Sequence, residues 1–94
     1  MLTVKIFGKP DCELCKNTIH KFEYFLDHWG VADGVEVEYF DMTSPDGLTE
    51  AMMHDASAVP TTVIFDEAGK ELARWEGAVP PSSEFKPLVT GGSA

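Results

Sequence analysis

The spacing of apolar positions changes several times along the chain, and each change marks an element. Leu2-Thr3-Val4-Lys5-Ile6-Phe7 is short, β-branched and aromatic, the composition of a buried strand. Gly8 and Pro10 break it and form a loop that carries Cys12. From Glu13 the spacing becomes helical. Cys15, Ile19, Phe22, Leu26 and Trp29 make one apolar stripe, and Lys16, His20, Glu23 and Asp27 fall on the opposite, solvated side. The acid at Glu13 suits a first turn, and Gly30 is a natural stop. Val31 to Gly34 reads as a turn. Val35 to Asp41 then alternates apolar and acidic residues, the pattern of a half-exposed strand. Its glutamates also protect an open sheet edge. Strand, helix and strand within about 40 residues predict a βαβ unit with parallel strands and a right-handed crossover.

Ser44 and Pro45 open a second, shorter helix, as cap and first residue. It is expected to run to about Asp55 and to bury Leu48, Ala51 and Met52, with the Met52-Met53 pair as core filler. Ala58-Val59-Pro60 leads into a third strand, Thr61 to Phe65. Asp66 to Lys70 is a hairpin loop, Glu71 to Glu76 a fourth strand, and Gly77 its end. Ser82 or Ser83 can cap a last helix through Phe85. Pro87 is expected to interrupt it and leave it short or broken. Thr90 to Ala94 reads as a disordered end. The order is β-α-β-α-β-β-α in one domain over residues 1–90, with a flexible tail over 91–94.

Length and charge narrow the function. Ninety-four residues make one domain. Such a chain buries roughly 60–70% of its unfolded surface, enough for a core without staples. Sixteen acidic against seven basic residues give a net charge of −9. That balance argues against nucleic acid and against an anionic membrane surface. It suits basic faces on protein partners, or simply solubility. No run of 18 apolar residues is present, and the first residues read as a strand rather than a signal peptide. A cytoplasmic monomer is expected. In a reducing compartment, two close cysteines point to catalysis or metal binding rather than to a structural bridge.

Cys12 and Cys15 are the only cysteines, two residues apart, between a strand and a helix. The helix N-terminus offers free N–H groups and partial positive charge, which favour a thiolate on Cys12. A thiolate is the species that attacks a disulfide. Cys15 lies about one helical turn on, within reach to resolve the mixed disulfide, and its place on the apolar stripe makes it the more buried thiol. Lys9 adds to the stabilisation of a Cys12 thiolate, and the carboxylates of Asp11 and Glu13 oppose it. A tetrathiolate metal site needs four ligands, and His20, His28 and His54 lack ligand spacing to the pair. No metal is expected. The histidines read as structural, as do Trp29 and Trp75.

The element order, the Cys-x-x-Cys after the first strand and the Val59-Pro60 before the third resemble the thioredoxin superfamily over Leu2 to about Val89. The resemblance implies a four-stranded mixed sheet with helices on both faces, and thiol–disulfide exchange without a cofactor. It implies Cys12 as nucleophile and Cys15 as resolving thiol. It further implies a cis-Pro60 shaping a substrate groove, with Val59 supplying backbone hydrogen bonds. Phe7 to Lys16 looks most like a glutaredoxin segment, where Lys9 would contact a glutathione carboxylate; Phe65 to Val79 looks closer to thioredoxins. Three departures stand out. Glu13-Leu14 matches neither family's dipeptide. Ile6 occupies the place where thioredoxins bury an acid beneath the cysteines. Of the glycine pair that helps glutaredoxins hold glutathione, only Gly77 remains, so glutathione is expected to bind weakly. The partners implied are protein disulfide substrates and an electron donor, either a reductase or a small thiol. The alternatives are a redox-sensing or binding module and a two-thiolate metal-binding protein.

Overall fold

In the computed structural model, which describes residues 1–91, four strands form one mixed sheet: β1 (Leu2–Gly8), β2 (Val35–Asp41), β3 (Thr61–Phe65) and β4 (Glu71–Glu76). The order across it is β2-β1-β3-β4. β1 and β2 are parallel, from Leu2↔Val35 to Gly8↔Asp41. β3 is antiparallel to β1, with Ile6 opposite Thr62, and to β4, with Thr62 opposite Trp75. β3 is buried along its whole length, as a central strand covered on both faces must be. The acidic edge strand β2 is only partly buried.

Period 2 sends alternate residues of each strand to opposite faces. Val4, Ile6, Val35 and Ile64 face α1 (Glu13–His28) and α3 (Ser82–Val89). Phe7, Val63 and Phe65 face α2 (Pro45–Met53) and Ala56 beyond it. α1 follows the expected stripe: Cys15, Phe22 and Leu26 are buried, and Ile19 and Trp29 pack beside them. The stripe also buries Thr18, whose hydroxyl is satisfied by donating to the Leu14 carbonyl at 2.8 Å. Gly30, at φ +70°, ends the helix. The N–H groups of Gly30 and Val31 return to the carbonyls of Asp27 and Leu26, a Schellman pattern. A 3-10 turn, Ala32–Gly34, leads into β2.

α2 buries Ala51 as expected but otherwise differs from expectation. Its other buried residue is Gly47, one turn before; Leu48, Met52 and Met53 are 47%, 70% and 69% exposed. The cause is distance. A Cβ on Gly47 would overlap the Asp41 carbonyl, so only small residues fit where this helix meets the end of β2. The larger apolar side chains are turned away to solvent. α2 also stops earlier, at Met53, with Asp55 at φ +55°.

α3 is continuous through Pro87 rather than broken. A proline there removes one backbone bond, to Ser83, in a helix of eight residues. Packing offsets the loss: Phe85 and Val89 are buried, and Phe85 stacks on Phe22 with ring centroids 4.2 Å apart. Pro81 takes the N-cap position, so neither Ser82 nor Ser83 acts as the cap. Thr90 closes the helix, its N–H and hydroxyl both donating to the Lys86 carbonyl. Of the expected tail, residues 92–94 lie outside the described residues.

Candidate active site

β1 ends on Gly8, and the chain turns through Lys9, Pro10 and Asp11 into α1. The Cys12 N–H closes the turn on the Lys9 carbonyl at 3.2 Å. Cys12 is the N-cap of α1, in extended conformation, and its Sγ accepts the Cys15 N–H at 3.1 Å. A donor held against that sulfur favours its charged form. The two cysteines are joined as a disulfide, with Cα atoms 5.2 Å apart. They are unequal: Cys12 is partly exposed, and Cys15 is 1% exposed. Asp11 and Glu13 flank Cys12 as exposed carboxylates.

Gly8 has a role that the sequence reading missed. It is buried, and a Cβ built on it would lie 2.5 Å from Cys15 Sγ and 3.2 Å from Tyr39 Cε1. The glycine is the floor on which Cys15 rests, with the Tyr39 ring from β2 beside it. Burial, with the Asp41 carboxylate adding to it, raises the Tyr39 phenol above its ordinary 10.0. The phenol therefore stays neutral at ordinary pH. A glycine at a strand end just before a cysteine loop was the available signal for this close approach.

Val59-Pro60 is cis, as expected. The register carries Phe7↔Thr61 onward to put Pro60 beside Gly8, under the cysteine turn. Pro60 is buried, and its carbonyl accepts the Gly77 N–H at 2.7 Å. Gly77, at φ +76°, is thus brought to the same end of the sheet. The Thr61 hydroxyl donates to the Ala58 carbonyl at 2.8 Å and folds the loop before the proline. Among the described residues, Val59 is in no hydrogen bond through its N–H or C=O. Lys9 is exposed on the loop. The structure therefore gathers Cys12, Cys15, Val59, Pro60 and Gly77 at one end of the sheet, with Lys9 at the rim. Trp75 and Trp29 pack against the core, and Trp75 Nε1 donates to Glu84 at 2.6 Å. His20 is exposed, and His28 stacks on Tyr24 at its helix end. His54, by contrast, is partnered: its Nε2 lies 3.3 Å from Glu50 and 3.4 Å from Lys5, on the other face. Among the described residues, no three acidic, cysteine or histidine side chains converge as metal ligands. Among the described residues, no helix is long and apolar enough to cross a membrane.

Residues 2–90 match the family model of the thioredoxin-like domain. The chain belongs to that family. The expected superfamily and its four-stranded fold are borne out together. Thioredoxin from Fasciola hepatica is similar at 25% identity, with a TM-score of 0.72 over 98% of this chain and 81% of that one. Oxidised thioredoxin O2 from Arabidopsis thaliana gives 18% identity and a TM-score of 0.75 over 97% and 74%. Oxidised mitochondrial thioredoxin 3 from Saccharomyces cerevisiae gives 17% and 0.72 over 96% and 77%. No curated protein matches the sequence. A thioredoxin-like fold with a Cys-x-x-Cys disulfide is the frame of a thiol–disulfide oxidoreductase.

Proposed function

We propose that this thioredoxin-like domain reduces protein disulfides, with Cys12 as nucleophile and Cys15 as resolving thiol. The Cys12 thiolate attacks one sulfur of the substrate and expels the other as a thiolate. Cys15 then gives up its proton and attacks Cys12 Sγ, which releases the second substrate sulfur as the leaving group. The substrate gains two thiols and the protein gains the Cys12–Cys15 disulfide. The observation that carries this reading is the asymmetry of the pair: Cys12 is open at the helix N-cap with an N–H aimed at its sulfur, and Cys15 is buried behind it. The unpartnered backbone of Val59, beside Pro60, supports pairing with an extended substrate segment.

The electron donor in this reading is a reductase or another dithiol protein rather than glutathione. Gly77 stands without a second glycine, and Ala78-Val79-Pro80-Pro81 follow it. Lys9 is then a rim contact to partner carboxylates. The test is trapping. Cys15→Ser is expected to stall as a mixed disulfide through Cys12, and Cys12→Ser to carry no such adduct. Mass spectrometry of adducts with a model protein disulfide reads this out. Equal adduct formation on Cys15 in the Cys12→Ser protein overturns the assignment.

A further inference from the structure

Three threonines are fully buried: Thr18, Thr61 and Thr62. The hydroxyl protons of Thr18 and Thr61 are committed, to the Leu14 and Ala58 carbonyls. The Thr62 hydroxyl is not. It is 0% exposed, and among the described residues it is the one buried side-chain polar atom with no hydrogen-bond partner. Such a group carries its full desolvation cost, and a valine would fill the same space without it.

The register shows where this hydroxyl sits. Thr62 lies opposite Ile6 on β1 and opposite Trp75 on β4, on the sheet face covered by α1. On this face of β1, Ile6 is the residue next to the floor of the active site. Gly8, two residues on and on the same face, carries Cys15 Sγ. Thr62 and Gly8 are therefore diagonal cross-strand neighbours, at a spacing of about 7–8 Å that longer contacts or one water can span. β1 offers only Val4, Ile6 and Gly8 to this space, and β3 only Thr62 and Ile64. The titratable groups facing it are Cys12, and Tyr39 and Asp41 from β2; the Asp41 carboxylate is engaged by Thr43. From α3, Phe85 and Val89 face inward, and Glu84 is held by Trp75.

We propose that Thr62 is the positioning residue for Cys15: its hydroxyl donates to the Cys15 thiolate, directly or through one bridging water, when the disulfide is open. This rests on the exchange chemistry proposed above. Burial disfavours a charged Cys15, yet the resolving step needs that charge. The Cys15 S–H bond breaks and its proton leaves. The new Cys15–Cys12 bond forms as the Cys12–substrate bond breaks, and the departing substrate sulfur takes up the proton. In the reverse direction Cys15 departs as a thiolate when a reductant opens the disulfide. With no carboxylate at Ile6, the Thr62 hydroxyl is the fully buried, uncommitted donor on the neighbouring strand that can stabilise it. The hydroxyl lacks a partner in the oxidised state because its partner exists only in the reduced one.

The test separates the two thiols. In reduced Cys12→Ser protein, Cys15 is titrated alone by thiolate absorbance and by the pH dependence of alkylation. Adding Thr62→Val is expected to raise its midpoint by about one to two pH units, the scale of a lost hydrogen bond to a charge. Thr62→Ser, which keeps the donor, is expected to leave it near the parent value. In the protein with both cysteines, Thr62→Val is expected to slow resolution of a preformed mixed disulfide about tenfold or more at neutral pH, and to leave alkylation of Cys12 unchanged. Thermal melting of the oxidised protein is the check on structure, where Thr62→Val is expected to match or exceed the parent. An unchanged Cys15 midpoint in Thr62→Val overturns the inference, and so does a large loss of oxidised-state stability. Because the titration needs no substrate, it can fail while Cys12 still forms adducts, and the exchange reading then stands alone.

Discussion

On one face of the sheet, α1 and α3 are held by apolar contact: Phe22 and Leu26 from α1, Phe85 and Val89 from α3, over Val4, Ile6 and Ile64. On the other, α2 adds only Ala51 to a smaller apolar cluster, and polar and ionic contacts supplement it. Lys5 Nζ reaches Glu50 at 3.0 Å and lies 5.5 Å over the Phe40 ring and 5.6 Å over Phe65. Arg74 grips the C-terminal end of α2 through the carbonyl of His54 at 2.6 Å, and is itself tied to Glu71 and Glu76. Beside α2 the sheet is open, with a hollow of about 310 Å³ lined in part by Lys5, Glu36, Glu38 and Phe65. The difference teaches how the site is mounted. The cysteines stand on the apolar, rigid side. Pro60 is reached through the loop after α2, so one wall of the groove is carried by a short helix whose attachment is partly ionic.

The largest expected effect lies on the apolar face. Phe22→Ala removes the ring that stacks on Phe85, and is expected to cost about 3–5 kcal/mol in urea unfolding. Both helices on that face should loosen together. If amide exchange in α3 stays at the parent rate while α1 opens, the two helices are not one packed unit.

Next comes Gly47→Ala. The added methyl meets backbone at Asp41, not a movable side chain, so the helix must shift as a body. A cost of about 1–3 kcal/mol is expected, concentrated in α2 and the loop to Pro60. Faster amide exchange there, with α1 unaffected, is the signature. Uniform destabilisation would mean that the two faces are not separable.

These two helices also mark what could be read without coordinates. α1 was legible because sixteen residues give the helical period room to repeat, and its large apolar residues are the buried ones. α2 was read correctly at Ala51 and misread around it, because close approach to β2 selects Gly47, which has no hydrophobic signal, and turns Leu48 and Met52 outward. Pro87 suggested a break in α3, and only the tertiary packing of Phe85 shows why the helix survives it. At the site, the Cys12–Cys15 pair was legible from local pattern, and the cis bond at Pro60 only through the family resemblance. Gly8 carried only the weak signal of a glycine at a strand end, and the places of Tyr39 and Thr62 come from strand register, which no short stretch of sequence contains.

A smaller effect tests the ionic face. Glu50 is held below the usual carboxylate value, first by the hydrogen bond from Lys5, with charge from Lys5 and His54 adding, against desolvation. A carboxylate lowered on folding contributes stability that is fully present above its unfolded value of about 4.5 and is lost as pH falls through the folded value. Glu50→Gln is therefore expected to cost up to about 1 kcal/mol at pH 7 and to cost progressively less below about pH 4.5. Denaturant midpoints across pH for the two proteins check it. Parallel curves would show that Glu50 contributes no linkage.

The smallest effect concerns the two helix ends, which share one geometry with different residues. Gly30 after α1 and Asp55 after α2 both sit at positive φ, and both helices close with N–H groups returning to carbonyls of the last turn. The N–H of Ala56 reaches the Ala51 carbonyl at 2.8 Å, as that of Val31 reaches Leu26 at 2.9 Å. For an ordinary L-residue this conformation costs about 1–2 kcal/mol, and aspartate tolerates it better than most. Asp55→Gly removes that strain but gives the unfolded chain more freedom to lose, an opposing term of about 0.5–1 kcal/mol. The net expected is a gain of no more than about 0.5 kcal/mol. Gly30→Asp, with open space around the position, is the reverse change and should lose no more than about 0.5 kcal/mol. Measured together by thermal melting, the pair isolates the conformational term from packing. A loss in Asp55→Gly would mean that the aspartate side chain, rather than the backbone turn, fixes the end of α2 and with it the approach to Pro60.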